Sequence, residues 1–276
     1  MRQYLRKAIP LSSQQQTFRH QGNLMGFVRR RYQLPITVLL MAVTPAAMLA
    51  QRAQVYKGFI NLNLGTQTIS TAFDDNVVFT EFAEQGDFTA IYRIPTGSVL
   101  DIDGGVRLPM NLGVAVGITR FYQTNGADVD ARIPHPFYFS RNRSIAGNTS
   151  GLDRREIALH LSARWFLPTR DPIEFSVFGG PTFFSLTQEL VAGVQFDHTY
   201  PYNSATFNST STRESSKTVF GYHLGTDIGY FFSPNVGIGA LIRFSQASTT
   251  LPSSDGENVS LNVGGISLTG GLRLRF

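Results

Sequence analysis

The residues able to do chemistry sit at alternate positions of apolar runs. His160 and Ser162 are two apart, and Glu174 follows in the next run. A serine whose proton a histidine accepts, with a carboxylate to orient the ring, can attack an ester. Such a triad is defined by geometry and not by spacing, so the reading taken is that these three are interior polar side chains and the chain is not an enzyme. Further charges share their alternation. Asp101, Asp103 and Arg107 lie opposite a face made by Leu100, Ile102, Val106 and Leu108. Arg164, Asp227, Arg243, Arg273 and Arg275 take the same side of their own runs, with His223 among them. With Glu174 they make four carboxylates and five guanidiniums. Enclosed together, these groups must pair, because an isolated buried charge is too costly. There is no cysteine, no metal-spaced histidine cluster and no glycine-rich phosphate loop, so neither a metal nor a cofactor is expected.

The elements that hold these residues are strands. Of 276 residues, 24 are Lys or Arg and 19 are Asp or Glu, a formal charge of +5. Seven of the basic residues, and no acid, fall within residues 1–50, leaving 17 against 19 and a net of −2 beyond. The later residues therefore offer no electrostatic case for nucleic acid. Residues 1–50 read as a signal peptide: Arg29-Arg30-Arg31, a short apolar core from Ile36 to Val43, then small residues, with cleavage after Ala50 or Ala53 and the true start at Met25. That core is shorter than the ~20 residues of a spanning helix.

From residue 51 to 276 the period is two. It predicts eight strands at roughly 55–71, 97–108, 112–123, 152–167, 173–187, 217–232, 236–248 and 260–276. Connections at 109–111, 168–172 and 233–235 are tight. Those at 72–96, 124–151, 188–216 and 249–259 read as long polar loops. One face of each strand carries Leu, Ile, Val and aromatics; the other carries Gly, Ser, Thr and opposed charges. Only 16% of the residues are charged, too few for that second face to be the outside of a soluble protein. The reading is an all-β, eight-stranded antiparallel up-and-down transmembrane β-barrel, apolar outward. Aromatics at strand ends fit two interfacial girdles: Trp165-Phe166, Tyr230-Phe231-Phe232 and Phe276 at the short-turn end, Phe121-Tyr122 and Phe183-Phe184 at the other.

The last strand alternates Leu268, Leu272 and Leu274 up to a terminal Phe276. On these residues and the strand pattern, residues ~55–276 resemble the small outer-membrane β-barrels, such as the OmpA transmembrane domain and the OmpX and opacity-type proteins. The resemblance implies that Phe276, Leu274, Leu272 and Leu268 form the signal read by the barrel-assembly machinery. It also implies a bacterial outer-membrane location, contact with outer-membrane lipid and lipopolysaccharide, and no further domain downstream. His160-x-Ser162 with Glu174 is also similar to the motif of outer-membrane lipid A deacylases, although Ala163 stands where that motif has Asn.

Eight strands leave an interior just wide enough for side chains, so a salt-bridged plug is expected. Function then falls to the four loops, in a structural or adhesive role; the alternatives are a narrow porin or solute transporter and a lipid A-modifying hydrolase. Among the loops, His135-Pro136-Phe137-Tyr138-Phe139, flanked by Arg132, Arg141 and Arg143, is an aromatic–basic stretch. It reads as a hairpin extension packing its rings together, or as a contact surface for a ligand.

Overall fold

The computed structural model describes residues 56–68, 72–255 and 258–276; the expected signal peptide lies outside them. Ten strands form: β1 (Gly58–Thr68), β2 (Ala72–Glu81), β3 (Glu84–Arg93), β4 (Gly97–Arg107), β5 (Leu112–Pro134), β6 (Asn142–Leu167), β7 (Ile173–Asp197), β8 (Thr206–Phe231), β9 (Val236–Pro252) and β10 (Asn258–Arg275). Eight of them close a ring. β1 pairs with β4, each later strand pairs antiparallel with the next, and β10 returns to β1. This is the expected eight-stranded antiparallel up-and-down barrel, and closure leaves its ring without a free edge.

The expected loops are largely strand. Residues 72–96 form the hairpin β2–β3, whose second strand pairs with the upper part of β5 from Gly126 to Arg132. Residues 124–151 and 188–216 are mostly the continuation of β5–β6 and β7–β8, which run far beyond the strand ends read from the sequence. The short connections stay short.

Two sections follow, with opposite polarity. Near the tight turns the outer surface is apolar: Ile60 and Leu62, Val114, Val116 and Ile118, Leu159 and Leu161, Ile238 and Ile242 are all exposed there. Such a belt is paired with a polar interior, the arrangement of a lipid-facing barrel. Beyond the belt the inside becomes apolar, with Phe73, Phe88, Tyr92, Val129, Ile133 and Leu190 in one buried cluster. On β5 the inward parity never changes; its inward residues pass from Gly113, Ala115 and Thr119 to Ala127, Val129 and Ile133. On β6 it does change. Gly151 has φ +84° and sits as an extra residue where Asn125 faces Leu152 and Gly126 faces Ser150. That bulge turns Ile145 inward above it, and only glycine takes such a φ without strain.

The girdle reading needs one correction. Each adjacent aromatic pair splits across the wall, as strand alternation demands. Tyr122, Phe183, Tyr230, Phe232 and Phe276 are exposed and Trp165 is half-buried, whereas Phe121, Phe166, Phe184 and Phe231 are buried within.

Candidate functional site

The inward parity of the belt section brings the charged residues together. Asp103 on β4 accepts from Asn61 Nδ2 (3.1 Å) and from Arg164 Nη2 (2.9 Å). Arg164, on β6, reaches across to Asp227 on β8 at 3.3 Å. Asp227 also takes Arg273 of β10, through Nη2 at 2.6 Å and Nε at 3.1 Å. Arg273 then donates to Asn63 Oδ1 (2.5 Å), Asn63 donates to Asp101 (2.9 Å), and Asp101 is paired with Arg243 of β9. This chain of three carboxylates and three guanidiniums is neutral and crosses the lumen. Phe59 and Phe178 flank Arg164, with ring centroids 4.9 and 4.8 Å from its guanidinium carbon. The rings replace water with a polarisable surface that tolerates the cation.

At the tight-turn mouth, Arg107 and Arg275 both approach Glu174, at 3.1 and 4.0 Å. Tyr56, just before β1, lies between the two guanidiniums, 5.1 Å from Arg107 and 4.9 Å from Arg275, and its hydroxyl accepts from Arg107. Glu174 is therefore engaged far from His160 and Ser162, and the three do not form a triad.

His160 and His223 belong to a different arrangement. Thr119 Oγ1 donates to Asp101 (2.7 Å), so its contact with His160 Nε2 (2.9 Å) must be donated by the imidazole. His160 Nδ1 then accepts from Thr182 Oγ1 (2.9 Å), and Thr182 in turn accepts from His223 Nδ1 (2.8 Å). His223 Nε2 is left to accept from Ser162 Oγ at 2.8 Å. One hydrogen-bond direction thus runs from Ser162 to Asp101, with each histidine neutral in one tautomer. Ser162 has a base, but no carboxylate orients that base. The geometry is packing, with every ring nitrogen used.

Sequence reasoning omitted several members. Asn61, Asn63, Thr119 and Thr182 are buried links. Arg154 and Glu156 form a buried pair at 2.7 Å just above the belt; both share the parity of His160 and Arg164, which is the signal that could have found them. Their work is at a seam. Among the described residues β1 pairs with β10 as far as Thr68, opposite Ile266; above that point Arg154 donates to the Asn262 carbonyl of β10 (2.7 Å) and Glu156 accepts from the Gly264 amide (3.1 Å). Beside them a cavity of about 10 Å³, lined by Gln67, His160, Arg243 and Ser245, has room for a single water.

The residues expected as an assembly signal stand on the outer face of β10, with Leu268, Leu272 and Phe276 exposed and Leu274 half-buried. The Phe276 carbonyl accepts from the amides of Lys57 and Gly58, both at 2.8 Å.

At the far end, three hairpin tips meet. The His198 ring contacts Phe82 of the β2–β3 turn (5.9 Å between centroids) and Phe196 and Tyr202 (5.5 and 4.9 Å). Tyr202 contacts Phe137 at 5.4 Å, and His135 contacts Tyr138 at 4.9 Å. The rings pack together, yet Phe137 and Phe139 remain 68% and 78% exposed. Among the described residues no group of three or more His, Cys, Asp or Glu is arranged to hold a metal.

No family model matches the chain, and no curated protein does. Solved structures do. Neisserial surface protein A aligns over 79% of this chain and 97% of its own, at 16% identity and a TM-score of 0.41. The outer membrane protein OprG from Pseudomonas aeruginosa aligns over 82% and 98%, at 10% identity and a TM-score of 0.47. The outer membrane protease OmpT from Escherichia coli aligns over 82% and 99%, at 9% identity and a TM-score of 0.46.

Proposed function

We propose that the chain is a bacterial outer-membrane protein whose barrel is a plugged scaffold and whose work, structural or adhesive, is done by its extracellular tips. The observation that carries this reading is the ion-pair chain from Asp103 through Arg164, Asp227 and Arg273 to Asp101 and Arg243. It crosses the bore in an eight-stranded barrel that has little bore to spare. The apolar cluster above it supports the same conclusion, because a solute path would have to cross both.

In this reading the apolar belt meets lipid, and the outward Arg120 and Arg155 meet lipopolysaccharide phosphates at its upper rim. The barrel-assembly machinery reads the strand ending at Phe276, and the leader directs export. Neither an enzymatic role nor a nucleic-acid partner is proposed: Ser162 and His223 lack both a carboxylate and a path to substrate. The competing reading is a narrow porin or a transporter of small solutes. Planar bilayers carrying the refolded protein test the two: the plug predicts no steady single-channel current, and large steady currents would refute it. The adhesive part is tested with cells displaying the protein, scored for attachment to glycan- and protein-coated surfaces; no attachment to any surface would refute it.

A further inference from the structure

Above the belt, β8 and β9 part. Their pairing runs from Phe231–Gly237 only as far as Tyr222–Gln246, although β8 continues upward to Thr206 and β9 to Pro252. The Phe231 amide donates to the Pro172 carbonyl (2.8 Å), just before β7, and the β7–β8 register is unbroken from Tyr230 to Thr212. An antiparallel ladder alternates, so the odd-numbered residues of this stretch bond to β7 and the even-numbered ones point the other way. Glu214, Ser216, Thr218 and Phe220 therefore turn their backbone amides and carbonyls to the fork, where no strand pairs with them among the described residues. Higher up, the gap is bridged by a side chain and not by a ladder: Arg213 Nη2 donates to the Pro252 and Ser253 carbonyls (2.8 and 2.7 Å).

Such an edge accepts an added strand unless proline, a bulge or an inward charge blunts it. Between Glu214 and Phe220 there is no proline, and β8 carries no bulge. The deterrent is Lys217. It shares the inward parity of the buried Ser215 and His223, yet it is exposed and has no ion-pair partner among the described residues. A cation so placed turns away most strands and favours one with an acid opposite, because opposed charges across a ladder attract. A second selector lies at the base of the fork. There a hollow of about 470 Å³, bordered by Pro181, Phe220, Tyr222, Gln246 and Ser248, has room for a branched apolar side chain. A second copy of β8 fits less well. Two-fold pairing sets residues of equal parity opposite one another, so Lys217 would never meet Glu214.

We propose that the β8–β9 fork binds an extended peptide segment of a partner protein, which adds antiparallel to the β8 edge from Glu214 to Phe220. The segment sets an apolar side chain in the hollow beside Phe220 and, three residues later and on the opposite face, an acidic one beside Lys217. This deepens the adhesive reading and rests on it for placing the edge outside the cell, though not for its chemistry.

The test uses the full chain refolded in detergent micelles and a short fluorescein-labelled, threonine-rich peptide with leucine three places before glutamate. Anisotropy reads binding, and a carbon-13 label on a peptide carbonyl reads strand pairing in the infrared. Wild type is expected to bind this peptide about threefold or more tightly than its counterpart with lysine in place of glutamate. Lys217→Glu should reverse that preference. Ser216→Pro removes an amide that points at the fork and leaves the β7 ladder whole, so the heat-modifiable gel shift should persist while affinity falls at least about fivefold, the scale of one backbone hydrogen bond. Equal binding of the two peptides, or a preference that Lys217→Glu does not reverse, would overturn the acidic partner. Undiminished binding by folded Ser216→Pro, or no binding by wild type, would overturn the edge. Self-association that Ser216→Pro abolishes, with no peptide bound, would overturn the proposal in favour of a second copy. Cells that adhere while the peptides stay silent refute this inference and leave the adhesive reading standing; cells that adhere to nothing while the glutamate peptide binds do the reverse.

Discussion

Asp227 is the node at which the lumen chain should be cut. Its carboxylate receives Arg273 through two nitrogens at 2.6 and 3.1 Å and Arg164 at 3.3 Å, all buried. Asp227→Asn keeps the shape and removes the charge. Arg164 retains Asp103 at 2.9 Å, so it remains paired. Arg273 keeps its bonds to Asn63 and the Leu272 carbonyl, at 2.5 and 3.1 Å, but becomes a buried cation that has lost its ion-pair partner. Breaking one side of a buried pair typically costs 3–5 kcal/mol, and the surviving Arg164–Asp103 pair argues for the lower end, about 3 kcal/mol. That is roughly two decades in the unfolding equilibrium, since 1.4 kcal/mol is tenfold. Asp227→Asn with Arg273→Gln removes both charges and should recover most of the loss, leaving about 1 kcal/mol. The assay is reversible urea unfolding in lipid vesicles, read from Trp165, the single tryptophan, whose half-buried ring lies at the lipid-facing wall. A single variant within about 0.5 kcal/mol of wild type, the size of an ordinary surface substitution, would refute the reasoning. So would a double variant no better than the single.

Three further outcomes follow. Asp75 on β2 is only 1% exposed, and desolvation with Asp255 and Asp74 raises its pKa against the opposing Ser253 and Arg213. A carboxyl with a raised folded pKa destabilises the fold once ionised, so the extramembrane section should gain stability as pH falls through that raised value, and Asp75→Asn should stabilise it at pH 7 and lose its advantage in acid; hydrogen exchange of β2 read at both pH values checks the sign. Gly151→Val forces a β-branched residue to φ +84° at a bulge with open space around it, a backbone penalty of about 1–3 kcal/mol that should speed proteolysis of the β5–β6 extension while the heat-modifiable gel shift of the barrel persists. Glu156→Gln leaves Arg154 unpaired beside the Asn262 carbonyl and should lower the unfolding midpoint more than Glu189→Gln, whose carboxylate accepts only the partly buried Asp153 amide; equal midpoints for the two variants would contradict the assignment.

The barrel was legible because strand alternation has a period of two and every consequence of it is binary. Once Leu100 and Ile102 face lipid, Asp101 and Asp103 have nowhere to go but inward, and the same step holds for Arg164, Asp227, Arg243 and Arg273. Partner choice is a different matter. Asp101 meets Arg243, 142 residues away, because barrel shear sets them level, and no local pattern encodes shear. The hairpin β2–β3 was hidden for another reason. Its apolar residues do alternate, Phe73 with Val77 and Phe88 with Tyr92, but its two-residue turn is Phe82-Ala83, with φ +51° and +60°. That geometry normally advertises itself as Asn-Gly, and here two residues with no such preference adopt it. Arg154 lies within the strand read at 152–167 and its parity is plain, but the Asn262 carbonyl it serves is 108 residues away, and no local pattern encodes that meeting.

The exchange of polarity along the barrel explains why one sequence needs two kinds of strand surface. In the belt, lipid rewards apolar residues outside and leaves the interior to groups that satisfy one another, and the Asp–Arg chain does this with net charge zero. Above the belt, water rewards the opposite choice, and the same inward parity of β5 changes from Thr119 to Val129. The change of solvent demands a junction where both rules hold at once, and the Arg154–Glu156 pair stands there: below the buried apolar cluster, linked through Gln67 to the polar lumen, and spending its remaining hydrogen-bond capacity on the Asn262 carbonyl and the Gly264 amide of β10. A purely apolar junction would leave the Gly264 amide and the Asn262 carbonyl unpaired in a dry interior, at a cost of about 1–3 kcal/mol each. A purely hydrated one would open the seam between the two sections. The buried ion pair is therefore what allows a closed membrane barrel to continue upward as a water-facing sheet that carries the tips.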